Sequence, residues 1–180
     1  RRLSSAASDV YKRQVEAYKI ADLLADNGIC GALWADWWGF KHEAYDMVQA
    51  NIAIVDQARN GTGCAIVHSD DERGIQRLNQ EAAKAWSAGN RAGYNISKAR
   101  AINWITSNPA KAAGIYDRTG SIVAGKDADL VLWSKNPFSV YALAEKVYID
   151  GALAFDREAG FYPVSDFDLG IIKPSGVRVE

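Results

Sequence analysis

Apolar positions in this chain switch between two periods. Over residues 16–27, Ala17, Ile20, Leu23 and Leu24 fall on one helical face and Gly28 follows, which predicts a short helix with a glycine stop. Residues 29–35 are an apolar run, predicting a strand. The polar-aromatic loop Asp36-Trp37-Trp38-Gly39-Phe40 comes next, then a helix from about 42 to 58. Gly61 and Gly63 surround a turn into Cys64-Ala65-Ile66-Val67, whose unbroken apolar character predicts a fully buried strand. From 73 to 89, Ile75, Leu78, Ala82, Ala85 and Trp86 form the stripe of an amphipathic helix. Ser97 suits the cap of another helix carrying Ala99, Ile102 and Ile105. Asn108 and Pro109 suit the N-cap and first position of a further one, which Gly114 ends. This alternation predicts an α/β fold with parallel strands, in an open sheet or a barrel.

Past Gly114 the texture changes. Gly120-Ser-Ile122, Gly125-Lys-Asp127, Leu130-Val-Leu-Trp133 and Val147-Tyr-Ile149 read as short strands and turns, and Asp150-Gly151 between two apolar runs predicts a tight hairpin. Residues 116–157 therefore read as a separate small β unit. Residues 160–180, with Pro163, Pro174 and Gly176, read as extended chain.

Composition narrows the class. The 180 residues are 48% hydrophobic and 24% charged with a net charge of −1, as in a soluble globular protein. No run of like charge suits nucleic acid, and no apolar stretch approaches the roughly 20 residues of a membrane span. Cys30 and Cys64 both sit in apolar strand-like runs and are expected as buried small hydrophobes. Residues 1–14 (RRLSSAASDVYKRQ) lack a starting methionine, periodicity and a signal-peptide core. They resemble a translated adapter of the kind found at the ends of assembled metagenomic reads, and are read as a disordered, non-native leader.

Chemistry concentrates where the strand at 64–67 ends, in His68-Ser69-Asp70-Asp71. Alternation along a strand puts His68 and Asp70 on one face, about 6 to 7 Å apart, and Ser69 on the other. In α/β folds reactive groups gather at C-terminal strand ends. Asp70 is the candidate catalytic residue; capping the following helix is its alternative use, and Asp71 is the better cap. His68 is a candidate pocket residue, as are Trp37 and Trp38 after the preceding strand, where rigid aromatics suit an apolar substrate group. Packing explains the two tryptophans equally well.

Four ordered segments carry a resemblance. Arg77-Leu-Asn-Gln-Glu-Ala-Ala-Lys84, Thr106-Ser-Asn-Pro-Ala110, Gly114-Ile115 and Gly120-Ser-Ile-Val-Ala-Gly-Lys-Asp-Ala-Asp-Leu-Val-Leu132 resemble the end of a metal-dependent amidohydrolase of the imidazolonepropionase-like group. The resemblance implies a distorted (β/α)8 barrel of TIM type followed by a small β-sandwich. Residues 15–115 would be the last part of the barrel, with 29–35 and 64–67 as its seventh and eighth strands, and 116–180 part of the sandwich and a tail. A whole barrel takes roughly 250 residues, so the chain is expected to be a C-terminal fragment.

By the same resemblance the parent hydrolyses carbon–nitrogen bonds other than peptide bonds in a small amide or cyclic amide, using one or two divalent ions, zinc above all. A bound ion can lower the pKa of water to about 7. Asp70 stands where the family's aspartate both binds metal and shuttles a proton. The family's other ligands are histidines, and this chain has only His42 and His68, neither in a matching position. The fragment alone is therefore expected to be inactive and to hold zinc weakly. The alternative is a non-catalytic binding module, or a pseudoenzyme scaffold on the same fold. Substrate, compartment and oligomeric state stay open.

Overall fold

The structure, a computed structural model, describes residues 15–69 and 71–159. The expected leader, the extended tail and Asp70 lie outside the described residues.

A 3-10 turn at Ala17–Ile20 leads into α1 (Ala21–Asp26), and Gly28 with φ 61° turns the chain into β1 (Cys30–Leu33). The strand is shorter than the apolar run predicts, because Trp34 and Ala35 are buried beyond its end rather than continuing it. The helix expected over 42–58 is broken. His42–Ala44 is a 3-10 turn, and α2 starts only at Asn51, running Asn51–Gly61. Its regular turns stop at Gln57: Ala58 is extended, and Arg59 and Asn60 take left-handed φ of 48° and 60°. Arg59 is held there by a two-pronged hydrogen bond to Asp26 at 2.7 Å on each arm, so ion pairing fixes a backbone shape that an arginine rarely adopts.

β2 (Cys64–Val67) has the predicted bounds, but it is not fully buried: Ala65 and Val67 are buried while Cys64 and Ile66 are half-buried. It pairs in parallel with β1, Cys30 opposite Cys64 and Leu33 opposite Val67. The expectation for the cysteines is corrected at this point: they are joined by a disulfide, with Cα atoms 4.5 Å apart. Apolar surroundings fit either state; the register that places the two side by side decides it.

After a 3-10 turn at Ile75–Arg77 comes α3 (Leu78–Arg91). α4 (Lys98–Ala101) starts as expected, Ser97 Oγ accepting from the Arg100 amide at 3.1 Å, and passes into a 3-10 segment at Ile102–Ile105. α5 (Ser107–Ala112) begins two residues earlier than expected, with Thr106 rather than Asn108 at its N-cap and Pro109 in its first turn.

Helices cover the strand pair. Leu33, Ala65 and Val67 pack with Ile52, Ala53 and Val55 of α2, Ala82 and Ala85 of α3, and Trp104. Behind this core Asp56 is fully buried. It accepts from Arg100 Nε at 3.0 Å, Trp104 Nε1 at 2.8 Å and Gln57 Nε2 at 2.6 Å, which ties α2 to α4 and the segment after it.

β3 (Leu130–Trp133), β4 (Ala144–Ile149) and β5 (Ala152–Asp156) form an antiparallel sheet in the order β3-β4-β5. The β4–β5 turn has φ of 51° at Asp150 and 79° at Gly151, the positive pair the dipeptide predicts. The stretches 120–122 and 125–127 are turns rather than strands. Asn79 Nδ2 donates to the Pro137 carbonyl at 2.6 Å, and Phe138 lies 6.1 Å from Trp86, fastening the β unit to α3.

Candidate active-site rim

The C-terminal ends of β1 and β2 stand side by side. His68 extends the ladder by one bond, its amide donating to the Leu33 carbonyl at 3.1 Å. The two chains then diverge into the loops that carry Trp37, Trp38 and Ser69.

The loop after β1 folds on itself as an aromatic cluster. Trp34 is 2% exposed and stacks on Trp37 with ring centroids 5.1 Å apart. Phe40 meets both edge-on, at 5.3 Å from Trp34 and 5.1 Å from Trp37. Lys41 Nζ lies 5.4 Å from the Trp34 ring and 5.2 Å from Phe40, within cation–π range. Ala44, Met47 and Val15 complete this second small core. The His68 ring is half-buried, 6.1 Å from Trp34. So the structure brings His68 and the Trp37 cluster together through Trp34, the first residue of the aromatic segment 34–40 that the sequence marks as a candidate, though with no role of its own there. Its closeness in sequence to Trp37 and Trp38 is the available signal.

Trp38 is different. It is 60% exposed and faces Tyr45, itself 70% exposed, at 6.3 Å. Trp37 is half-buried in the aromatic cluster, and Trp38 lies on the surface.

A polar strap crosses from one loop to the other strand's helix. Lys84 on α3 donates to Asp36 at 2.8 Å and pairs with Glu81 at 2.8 Å. Burial works against the charged ammonium, but the two carboxylates outweigh it and hold Lys84 above the ordinary lysine range. The spacing Glu81–Lys84 was legible as an i, i+3 pair; the bridge to Asp36 was not.

After β2, Ser69 is buried and Gly74 packs on it so closely that an added Cβ would lie 2.9 Å from the serine Cβ. Asp71 does not cap the helix as the sequence suggests, because the helical turns begin only at Ile75 and Leu78, after Gly74 and Arg77. It closes a local turn instead, its Oδ1 accepting from the Arg73 amide at 3.1 Å and its carbonyl from Gly74 and Ile75. Among the described residues no group of three or more His, Cys, Asp or Glu side chains converges as a metal site would require. A cleft of about 820 Å3 lies away from the rim, between the first helical turns and α2, with Tyr18, Asp26, Arg59 and Tyr94 in its wall. Its charged lining is already paired, Arg59 with Asp26 and Asp22, and Lys19 with Glu16 and Asp46. No helix among the described residues is long and apolar enough to cross a membrane.

Comparison with known proteins gives these elements relatives. Residues 72–157 match the model of the amidohydrolase family. The chain is 33% identical over 126 residues to the amidohydrolase tasK of Hapsidospora irregularis, covering 69% of this chain and 12% of that protein. It is 24% identical over 131 residues to the urease subunit alpha of Haloquadratum walsbyi, across 65% of this chain and 22% of the relative. A shorter stretch of 41 residues is 44% identical to the imidazolonepropionase of Shewanella oneidensis, across 23% of this chain and 10% of that enzyme. Among solved structures, an amidohydrolase from Thermotoga maritima superposes with a TM-score of 0.68 at 34% identity, over 79% of this chain and 36% of that one. A second amidohydrolase structure superposes with a TM-score of 0.54 at 20% identity, over 77% of this chain and 37% of the other, which shows shared fold alone. The chain thus spans well under half the length of each of these relatives. On this agreement of sequence and fold, the chain belongs to the amidohydrolase family.

Proposed function

We propose that this chain is part of a hydrolase of carbon–nitrogen bonds other than peptide bonds, and that it meets its substrate at the ends of β1 and β2. What carries this reading is the coincidence of family and architecture: a parallel strand pair ends at one rim, and the amidohydrolase match begins at residue 72, just past it. In this reading β1 and β2 are the seventh and eighth strands of a (β/α)8 barrel, and β3 to β5 belong to a small sandwich.

Asp70, three residues past the end of β2, is the acid–base group. Amide cleavage needs a proton taken from the attacking water and delivered to the leaving nitrogen, and a carboxylate can do both in turn. In the same reading His68 forms pocket wall, and exposed Trp38 offers an apolar face to the substrate. Metal dependence, with zinc as the ion, belongs to the same proposal. Zinc takes about three or four protein ligands, and the described side chains do not assemble such a set. We therefore infer that this polypeptide alone neither holds zinc tightly nor turns over amides.

Metal analysis after exhaustive dialysis, run beside a hydrolysis assay on N-acyl amino acids, cyclic amides and dipeptides, tests that inference. Stoichiometric zinc with turnover would refute it. For the parent reading, the coding sequence upstream in the same source DNA should carry a His-x-His motif. Asp70→Asn in that longer protein should then lower kcat by about 10²–10⁴-fold with little change in fold. A second reading, a binding module without catalysis, draws on the exposed Trp38–Tyr45 pair; a longer enzyme whose kcat ignores Asp70→Asn would favour it.

A further inference from the structure

The chain's two cysteines occupy one mechanical position. Cys30 and Cys64 are the first residues of β1 and β2, opposite each other in the register and covalently joined. From this bond each strand runs three residues to Leu33 and Val67, and the next residue on each side belongs to the rim: Trp34 and His68, with rings 6.1 Å apart.

Little else sets that register locally. Among the described residues the parallel sheet has two strands of four residues each. Two-stranded sheets are marginal and parallel pairing is the weaker kind per residue. A slip of either strand by one residue would turn its buried end residue, Leu33 or Val67, outward. The disulfide forbids that slip, and it closes a loop, 31–63, that contains the whole aromatic cluster. Both cysteines are only half-buried, so a small thiol can reach them.

We propose that the Cys30–Cys64 disulfide is a redox lock on the rim. Oxidised, it holds β1 and β2 in register and Trp34 against His68; reduced by a dithiol, it frees the strand ends while the helical core stays folded. One thiolate of the reductant attacks a cysteine sulfur, forming a mixed disulfide and expelling the other cysteine as thiolate, which takes up a proton. The reductant's second thiol then displaces the remaining cysteine and closes its own disulfide. Two electrons and two protons pass to the protein; a disulfide oxidant such as oxidised glutathione takes them up again, leaving as two glutathione thiols while the Cys30–Cys64 bond re-forms. The proposal does not depend on the catalytic reading.

The test uses the whole chain purified without reductant. Thiol titration in denaturant should find none before dithiothreitol and both cysteines after it. Amide hydrogen exchange, followed by mass spectrometry, should accelerate about tenfold or more on reduction in peptides covering 30–40 and 64–69, and stay unchanged over 78–112. The double variant Cys30→Ser/Cys64→Ser should exchange like the reduced protein and ignore dithiothreitol. Free thiols before reduction would overturn the proposal, as would exchange at the rim that does not respond. Acceleration spread evenly over the chain would also overturn it, marking the bond as a staple of the whole fold.

Discussion

Asn108 reaches across from α5 and donates its side-chain amide to the backbone carbonyl of Ala65 on β2, at 2.8 Å and out of contact with solvent. Ala65 alternates with Cys64 and Ile66, so its carbonyl points away from β1, to the strand's other edge. An unpaired carbonyl buried at a sheet edge is costly, and Asn108 removes that cost. Asn108→Ala should therefore destabilise the fold by about 1–3 kcal/mol, the penalty of stranding a buried acceptor. Urea unfolding with an unchanged slope checks it; an effect near zero would mean that the Ala65 carbonyl finds another donor.

Asp56 makes a larger claim on stability. Its carboxylate is fully buried and is met by Arg100, Trp104 and Gln57. Asp56→Ala strands the indole N–H and takes the counter-charge from Arg100, an expected loss of about 3–5 kcal/mol. Asp56→Asn should cost less, because Asn keeps an acceptor for Trp104 and the Arg100 side chain is 37% exposed. If the two variants unfold at the same urea concentration, the charge rather than the hydrogen bonding is what matters.

How much of this was legible follows from what each signal measures. The strand at 64–67 and the Asp150-Gly151 hairpin were readable because an apolar run and a left-handed dipeptide are local facts. The break in the predicted 42–58 helix was not. α2 starts only at Asn51, whose buried side chain accepts from the Tyr18 amide at 2.8 Å, a contact across 33 residues that no local pattern announces. Asn108 was read as a cap, since Asn before Pro suits one, yet its side chain serves a strand 43 residues away. The cysteine pairing failed similarly: a separation of 34 residues says nothing about register. At the rim, the family resemblance and the position of Asp70 came from sequence. The Trp34 cluster and the Lys84–Asp36 strap needed three dimensions.

Gly63 is where the turn into β2 leaves no room. A Cβ there would lie 1.8 Å from the Val55 carbonyl oxygen and 3.1 Å from that of Asp56, and both are backbone of α2. Backbone inside a packed helix cannot yield as a side chain could, so Gly63→Ala must push β2 away from α2. The expected loss is about 3 kcal/mol or more, at the upper end for overpacking. Gly93→Ala, by contrast, meets nothing within 4 Å and tests only its φ of 92°; it should cost less. Equal melting temperatures for the two variants would contradict the steric account.

Asp129 predicts a pH dependence of the β unit. Its Oδ1 accepts from the Asp150 amide at 2.9 Å, at the tip of the β4–β5 hairpin, and its Oδ2 from Thr119 Oγ1 at 2.7 Å. The Asp150 amide foremost, then the Thr119 hydroxyl, hold its carboxyl below the ordinary value of 3.8. A folded-state pKa below the unfolded one means that the charged form contributes stability above the unfolded value, and that this contribution is lost as pH falls through the folded one. Asp129→Asn should then melt below wild type at neutral pH, with the gap narrowing as pH drops under 3.8. Other carboxylates titrate in both proteins and cancel in the difference. Thermal melts of the pair across the acid range measure it, and a gap independent of pH would show that Asp129 acts through shape, with its charge contributing nothing.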